Sequence, residues 1–198
     1  MNAEELLKDV LAKDEVPEWT ATPKPYSIFN DENKKSTMLF WTIAAVLLLA
    51  LNIAYIAFCV LDEAAEFMAG VLVVTVGVPL FLFINPIRDE KHIAKQLLVI
   101  TNKRAIVFHK SNKELSLPFE SIGAVNIETS TDAECSHIRV GASVADAPAR
   151  KLRGFAIMGK RDDDDKCIGF VFYHVDAREG KLAYDILREK IARRSDAV

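Results

Sequence analysis

Two uninterrupted apolar runs dominate the hydrophobic pattern of the chain. The first covers residues 37–61, the second covers residues 67–87, and neither contains a charged residue. A bilayer core of about 30 Å needs about 20 helical residues, and each amide in lipid must be satisfied within its own segment. Buried globular helices are the weaker interpretation, because neither run has a polar stripe. The pattern therefore predicts two transmembrane helices joined by a short external turn, 62–66.

Basic residues flank this predicted hairpin on one side only. Lys34 and Lys35 precede the first run, Arg88, Lys91 and Lys95 follow the second, and the turn contains no basic residue. Basic residues beside a membrane span tend to remain in the cytoplasm. We therefore expect a multi-pass protein of the cell (inner) membrane with both termini cytoplasmic.

Within the predicted hairpin, Asn52 falls near the middle of the first run, where an amide favours a partner on another helix. Pro79 should bend the second helix, because proline removes a backbone donor. Neither run contains an ionisable Asp, Glu, Lys, Arg or His. Ion pathways usually need such a residue, so the pattern disfavours transport by this hairpin.

Beyond Lys95 the hydrophobic period shortens to two residues, which is typical of strands. We predict strands at Leu97–Thr101, Ala105–His109, Glu114–Leu117, Ala124–Thr129, Ser136–Ser143, Leu152–Gly159 and Cys167–Val175. A C-terminal amphipathic helix should follow. Asp176 would cap this helix and Glu179 would complete a capping box, whereas Gly180 would cost about 1 kcal/mol relative to alanine. Its predicted apolar face consists of Leu182, Ala183, Ile186, Leu187 and Ile191.

Short motifs in this half of the chain resemble a known family. The sequence TNKR at 101–104 lies between the first two predicted strands, and LPFESI at 117–122 follows the third. These motifs resemble the bacterial pleckstrin-homology-like (PH-like) domain of small membrane proteins, over roughly residues 88–194. The resemblance implies a β-barrel or sandwich of about seven strands capped by the C-terminal helix, and relatives that commonly place two spans before the domain. The expected fold class is therefore an α+β membrane protein.

The expected organisation follows from these elements. Segment 1–36 is a cytoplasmic N-terminal region with a short helix near Ala3–Lys13 and then an extended, proline-containing stretch. The helices occupy 37–61 and 67–87, and 88–198 forms the cytoplasmic PH-like domain. Trp19, Tyr26 and Phe29 in the N-terminal region either pack on the domain or at the headgroups, or belong to a docking peptide. We favour packing.

Charge divides along the same boundaries. The net charge is −3 for 1–36, −3 for 37–87 and +3 for 88–198, which together give the overall −3. A domain tethered beside a span lies within reach of the anionic inner leaflet. The candidate lipid-binding or partner-binding residues are the clustered cations Lys103, Arg104, Lys110, Lys113, Arg150, Lys151 and Arg153.

Candidate catalytic chemistry is sparse, and we predict no catalytic residue, no metal site and no cofactor. The four histidines lack metal-site spacing, and no nucleophile elbow, Walker loop or dinucleotide fingerprint is present. The acidic run Asp162–Asp165 lacks the alternating spacing of a calcium loop and reads as a solvated turn. Cys135 and Cys167 have no evident activating base, and no evidence of a disulfide framework accompanies them.

Three functions follow, in order of preference. The first is a non-enzymatic, membrane-anchored PH-like module that presents a protein-interaction or self-assembly surface at the cytoplasmic face. The second is anionic-lipid binding or membrane-stress sensing by the basic face. The third is a membrane-bound enzyme using Cys135 or Cys167. The expected partners are membrane lipids, through the hairpin, and a protein or a second copy of the chain, with no nucleic acid and no small-molecule substrate.

Overall fold

The structure, a computed structural model, describes residues 7, 10–25, 27, 29, 31–61, 69–109, 114–130 and 133–195. The elements in chain order are β1 (Pro17–Ala21), α1 (Asp31–Leu61), α2 (Ala69–Ile93), β2 (Leu97–Thr101), β3 (Arg104–Phe108), β4 (Glu114–Pro118), a 3₁₀ turn (Phe119–Ser121), β5 (Val125–Thr129), β6 (Cys135–Val140), α3 (Ala142–Ala145), α4 (Ala149–Met158), β7 (Lys160–Arg161), β8 (Cys167–Asp176) and α5 (Ala177–Ser195). The predicted turn 62–66 and most of the predicted helix Ala3–Lys13 lie outside the described residues.

The described chain divides into two compact units. The α/β unit combines the described residues of 1–26 with those of 91–198, and the helical unit contains those of 27–90. The helical unit is therefore an insertion within the sequence of the α/β unit.

The α/β unit contains two four-stranded antiparallel sheets. The first has the order β1-β2-β3-β4 and the second the order β5-β6-β8-β7. The α+β class predicted from the sequence is confirmed. The described strands form no closed barrel, because β4 and β5 are joined through the 3₁₀ turn and pair with β3 and β6 respectively.

The main core lies between the inner faces of the sheets and α5. Its fully buried side chains include Leu98 and Ile100 from β2, Phe170 and Phe172 from β8, and Leu187 from α5. A second cluster lies on the other face of β8. There Ile93, Val144, Leu152, Ala156, Val171 and Tyr173 pack together. Residues at alternating positions of β8 thus serve two cores, as the period-two pattern of a strand requires.

One predicted strand is wrong. Residues Leu152–Gly159 were expected to be extended, but Ala149–Met158 is the helix α4. Leu152 and Ala156, four residues apart, are its buried face, so the spacing that resembled strand alternation is helical. Gly159 ends the helix with φ +66°, and its N–H donates to the Phe155 carbonyl at 3.1 Å.

A strand absent from the sequence-based prediction is β1. Its residues pair antiparallel with β2, in the register Trp19↔Ile100 and Ala21↔Leu98. Trp19 is buried in the main core, and its indole Nε1–H donates to Glu179 Oε2 at 3.0 Å. The packing interpretation is therefore confirmed for Trp19. Glu179 accepts the hydrogen bond that ties the N-terminal strand to α5.

The predicted cap of α5 is present, since Asp176 Oδ1 accepts a hydrogen bond from the Arg178 N–H at 3.0 Å. The predicted apolar face is partly wrong: Ala183 and Leu187 are fully buried, but Leu182 is half exposed. Gly180, expected to be a mild defect, is needed where α5 touches β6. A Cβ at this position would lie 2.1 Å from Ser136 Oγ.

In the helical unit, one described segment is long and apolar enough to cross a membrane, namely Thr37–Val60 within α1. The apolar side chains of α2 are also largely exposed, with Val73 70 % and Val74 61 % accessible. The Thr75 hydroxyl donates to Asn52 Oδ1 at 3.1 Å, which is the partner on another helix expected for Asn52. Pro79 lies inside the helical bounds of α2.

Candidate binding surfaces

The β2–β3 turn holds the N-terminal segment in place. Asn102 accepts a hydrogen bond from the Val16 N–H through Oδ1 at 3.0 Å and donates through Nδ2 to the Asp14 carbonyl at 3.1 Å. The Thr101 hydroxyl donates to Glu15 Oε1 at 2.8 Å. Hydrogen bonds from the TNKR sequence therefore hold the segment that leads into β1. We call the contacts of residues 101–104 with residues 14–16 the first clamp.

Arg104 completes this clamp through charge. Its Nε and Nη2 donate to the two carboxylate oxygens of Glu15 at 2.9 and 3.1 Å, and its Nη1 donates to Glu114 at 2.9 Å. The Glu15 side chain is only 2 % exposed. Such a two-pronged pairing is geometrically specific and stronger than a neutral hydrogen bond. Arg104 is therefore committed to holding the fold.

The electrostatics agree with this role. Burial acts to raise the pKa of Glu15, but hydrogen bonds from Arg104 and Thr101 outweigh it, and the pKa is lowered from 4.5. The same hydrogen bond to Glu15 raises the pKa of Arg104. Lys103 pairs with Asp14 at the surface, and its hydrogen bond lowers the pKa of the Asp14 carboxyl.

A second clamp fixes the other end of the N-terminal segment. The Lys24 N–H donates to the His174 carbonyl at 2.8 Å, and Lys24 Nζ pairs with Asp176 at 2.8 Å. The hydrogen bond with Asp176 raises the pKa of Lys24, and the same bond lowers the pKa of Asp176. The N-terminal segment is thus part of the α/β unit from Asp14 to Lys24.

A cleft of about 770 Å³ opens beside the first clamp. Its lining residues come from the N-terminal segment, the β2–β3 turn, the 3₁₀ turn and α5: Ala12, Glu15, Asn102, Lys103, Arg104, Pro118, Phe119, Glu120, Lys190 and Arg193. Lys190 Nζ lies 5.9 Å from the centroid of the Phe119 ring and also pairs with Glu18. Arg193 pairs with Glu189 in an exposed contact. The cleft thus has an apolar wall and four cations on its lining.

The predicted binding residues that the structure describes lie on two separate parts of the fold. Lys103 and Arg104 line the cleft, and Lys151 and Arg153 lie on α4. Lys110, Lys113 and the side chain of Arg150 lie outside the described residues. Lys190 and Arg193 were missed as site residues, because their basic character was read only as a favourable end of a helix dipole.

The α4 surface has a different character from the cleft. Lys151, Gly154 and Met158 follow the i, i+3, i+7 spacing of one helix face. Lys151 is exposed, and among the described residues it has no ion-pair partner. Met158 is 68 % exposed, and a Cβ built on Gly154 meets no atom within 4 Å. No part of the chain that the structure describes covers this face.

The structure gives little support to catalysis by the candidate cysteines and histidines. Cys135 is buried, and burial raises the pKa of the Cys167 thiol, which makes it a poorer nucleophile at neutral pH. His137 Nδ1 accepts the His174 N–H at 3.0 Å, so this ring nitrogen is occupied by the backbone. Within the described ranges, no three His, Cys, Asp or Glu residues are placed to hold a metal ion. The run Asp162–Asp165 forms an exposed turn, as predicted.

Comparisons of this chain with protein-family models, with curated protein sequences and with solved structures gave no match.

Proposed function

We propose that this chain is a membrane-anchored, non-enzymatic PH-like module that presents a protein-binding surface at the cytoplasmic face of the membrane. The pairing of β1 with β2 is the observation that carries the proposal. These strands lie on opposite sides of the apolar segment in sequence but are neighbours in one sheet. A sheet cannot form across a bilayer, so both strands must lie on the same side of the membrane.

This pairing constrains the number of membrane crossings. If Thr37–Val60 crosses the bilayer, the chain must cross again before Leu97 to bring β2 back to β1. The apolar part of α2 supplies the second crossing. Ala21 lies opposite Leu98, so the two connections to the apolar segment start from the same end of the β1–β2 pair. The basic residues around the two spans orient the α/β unit toward the cytoplasm.

The cleft beside the β2–β3 turn is the proposed protein-binding surface. Pro118 and Phe119 provide an apolar wall. Lys103, Lys190 and Arg193 also line the cleft, and each is paired with an acid of the chain that an acidic partner would have to replace. An apolar centre with a polar rim is the usual anatomy of a protein interface. The exposed pair between Arg193 and Glu189 contributes little stability and can exchange partners readily. The cleft therefore suits an acidic protein segment.

The support for lipid binding by the β2–β3 turn is weaker. Arg104 is held by the buried Glu15 carboxylate, so Lys103, in its exposed pair with Asp14, is the one cation of this turn within the described residues that can exchange its partner for a phosphate.

Protease accessibility tests the topology. The exposed sequence DDDDK at 162–166 is an enteropeptidase recognition site. We expect no cleavage after Lys166 in intact cells and cleavage in inverted vesicles, with detergent-solubilised protein as the reference for the rate. Cleavage from outside intact cells contradicts the proposed orientation. Recovery of the chain as a detergent-free soluble monomer contradicts the anchoring.

Photo-crosslinking in intact cells tests the binding surface. A crosslinking residue placed at Lys103 or at Arg193 should give discrete protein adducts, whereas the same residue at Asp163, in the exposed turn, should not. In the Lys103-position protein, the additional change Arg193→Glu should weaken the adduct, since it reverses one charge on the rim. Equal adducts at the cleft and at the turn would count against the cleft.

A further inference from the structure

A bulge near the end of β8 brings two buried histidines together. The register of β6 against β8 shifts by one residue between Ser136 and Ile138, so His137 lies opposite both Tyr173 and His174. His174 has a φ of +58°, in the left-handed region that residues other than glycine rarely adopt. Contacts with the rest of the fold must therefore hold the His174 backbone in this conformation.

Hydrogen bonds link this bulge to the N-terminal segment. The His174 N–H donates to Nδ1 of His137 at 3.0 Å. The Lys24 N–H donates to the His174 carbonyl at 2.8 Å, and His174 Nδ1 lies 3.2 Å from the Lys24 carbonyl oxygen. A carbonyl oxygen can only accept, so His174 Nδ1 carries a proton and donates it. The second clamp thus depends on the His174 backbone, and His137 holds that backbone.

The bond between His137 and the His174 backbone exists in one protonation state only. Nδ1 of a neutral imidazole can accept a hydrogen bond, whereas both ring nitrogens of an imidazolium donate. His137 is 2 % exposed and its ring stacks on Tyr173 with the centroids 4.3 Å apart, so water has little room to replace the lost acceptor. His174 donates through Nδ1 in both states, so its own protonation leaves its bond to Lys24 intact.

We propose that His137 is a proton-sensitive latch, whose protonation releases the His174 backbone and with it the Lys24 end of the N-terminal segment. Lys24 lies two residues before the end of 1–26, the part of the α/β unit that precedes the helical unit. Mild acid thus frees the residues that lead into the helical unit, while β1 stays paired with β2. The latch lies entirely within the α/β unit and is independent of the membrane topology and of the protein-binding cleft.

Charged neighbours of the bulge leave histidine as the group that responds near neutral pH. The charged and titratable groups on the adjoining strands and on the N-terminal segment are Lys24, Glu128, Glu134, Cys135, Arg139, Tyr173 and Asp176. Carboxyl groups ordinarily titrate near pH 4, and thiol and phenol groups above pH 8. The hydrogen bond with Lys24 lowers the pKa of Asp176, which moves this carboxyl further from neutral pH. The helix α4 presents the uncharged Leu152 and Ala156 to the cluster that contains Tyr173.

Hydrogen exchange of the full chain in mild detergent tests the latch. Mass spectrometry measures the protection of the Lys24 amide at pH 7.5 and at pH 5.5, corrected for the intrinsic dependence of exchange on pH. Pro23 and Pro25 have no N–H, so Lys24 carries the only backbone amide hydrogen of residues 23–25. An open latch that binds a proton with the ordinary affinity of histidine, and a closed latch that binds none, make opening about tenfold more favourable at the lower pH.

We therefore expect about a tenfold loss of protection at Lys24 between pH 7.5 and pH 5.5. The internal control is the Asn102 amide, which donates to the Val16 carbonyl in the first clamp. Because no histidine takes part in that bond, its protection should stay the same.

Two asparagine variants identify the sensor. His137→Asn replaces the ring with an amide oxygen that accepts hydrogen bonds and does not titrate, so protection at Lys24 should no longer depend on pH. His174→Asn is the matched control, because asparagine tolerates the left-handed region and can donate to the Lys24 carbonyl through Nδ2. This variant keeps His137 and should keep the tenfold loss. Circular dichroism checks that both variants are folded.

Each of the remaining outcomes contradicts the latch. Unchanged protection of Lys24 in the wild-type chain overturns it without reference to any variant. Equal losses at Lys24 and Asn102 would show that acid loosens the whole α/β unit. A loss that persists in His137→Asn, or that disappears in His174→Asn, would assign the response to a group other than His137.

Discussion

Two groups of basic residues in this chain look alike in the sequence and differ in the fold. In the β2–β3 turn, Lys103 and Arg104 face carboxylates that the N-terminal segment brings to them. On α4, Lys151 is exposed and has no such partner within the described residues. The difference arises from β1, because pairing of this strand with β2 places Asp14 and Glu15 beside the turn. The function of a cationic cluster therefore depends on which acidic residues the fold places beside it.

The largest expected effect separates Arg104 from its neighbour Lys103. Arg104→Ala should lower the free energy of unfolding by about 3 kcal/mol, because it leaves the buried Glu15 carboxylate without a counter-ion. Lys103→Ala breaks an exposed pair and should change it by less than about 0.5 kcal/mol. Urea unfolding of the full chain in mild detergent, followed by tryptophan fluorescence, measures both. Equal losses would contradict the assignment of Arg104 as a structural residue.

Two helical glycines sharpen the contrast between covered and open surfaces. Gly180→Ala should destabilise by about 1–2 kcal/mol, since overpacking against Ser136 exceeds the gain in helix propensity. Gly154→Ala on α4 meets no neighbour and should stabilise by up to about 1 kcal/mol.

Thermal unfolding of these two variants in detergent measures both changes. Adding Ser136→Ala to Gly180→Ala should recover part of the lost stability, because it removes the nearest atom. We expect the changes in stability caused by Gly180→Ala and Gly154→Ala to have opposite signs. Changes of the same sign would show that the face of α4 is covered.

The sequence predicts local features well and long-range pairings poorly. The Asp176 cap, the strands flanking residues 101–104 and the apolar run containing Thr37–Val60 depend on neighbouring residues, and the structure bears them out. By contrast, β1 pairs with a strand about 80 positions away across an inserted segment. No local pattern encodes that pairing, so the N-terminal segment was expected to be extended but was not assigned to a sheet.

The candidate surfaces show the same limit. Periodicity alone could not separate strand from helix around Leu152 and Ala156, because a short segment containing Gly154 fits both periods. Gly180 looked like a defect, since its reason is a single close contact with Ser136 on another element. The sequence correctly predicts Lys103 and Arg104 as one cluster, because they are neighbours in the chain. Their neutralisation depended on Asp14 and Glu15, which lie almost ninety residues earlier in the chain.

Acid should weaken the first clamp by a smaller amount than Arg104→Ala does. The pKa of Glu15 is lowered from 4.5 in the folded chain, so its contribution is complete above that value and is lost as the pH falls through the folded pKa. Protonated Glu15 is neutral and still accepts hydrogen bonds, which limits the loss. Unfolding measured from pH 6 to pH 3 should show stability decreasing below about pH 4.5, and Glu15→Gln should reduce this decrease. An unchanged acid slope in Glu15→Gln would show that other carboxyls dominate.

The smallest expected effect applies one substitution to both groups of basic residues. Lys103→Gln should lower the free energy of unfolding by up to about 0.5 kcal/mol, whereas Lys151→Gln should leave it unchanged, and urea unfolding in mild detergent measures both. Both changes remove one positive charge from the chain. They differ because Lys103 is paired with Asp14, whereas Lys151 is exposed and has no ion-pair partner within the described residues. If the two variants lose stability equally, unfolding responds to the net charge of the domain and the distinction between the two groups fails.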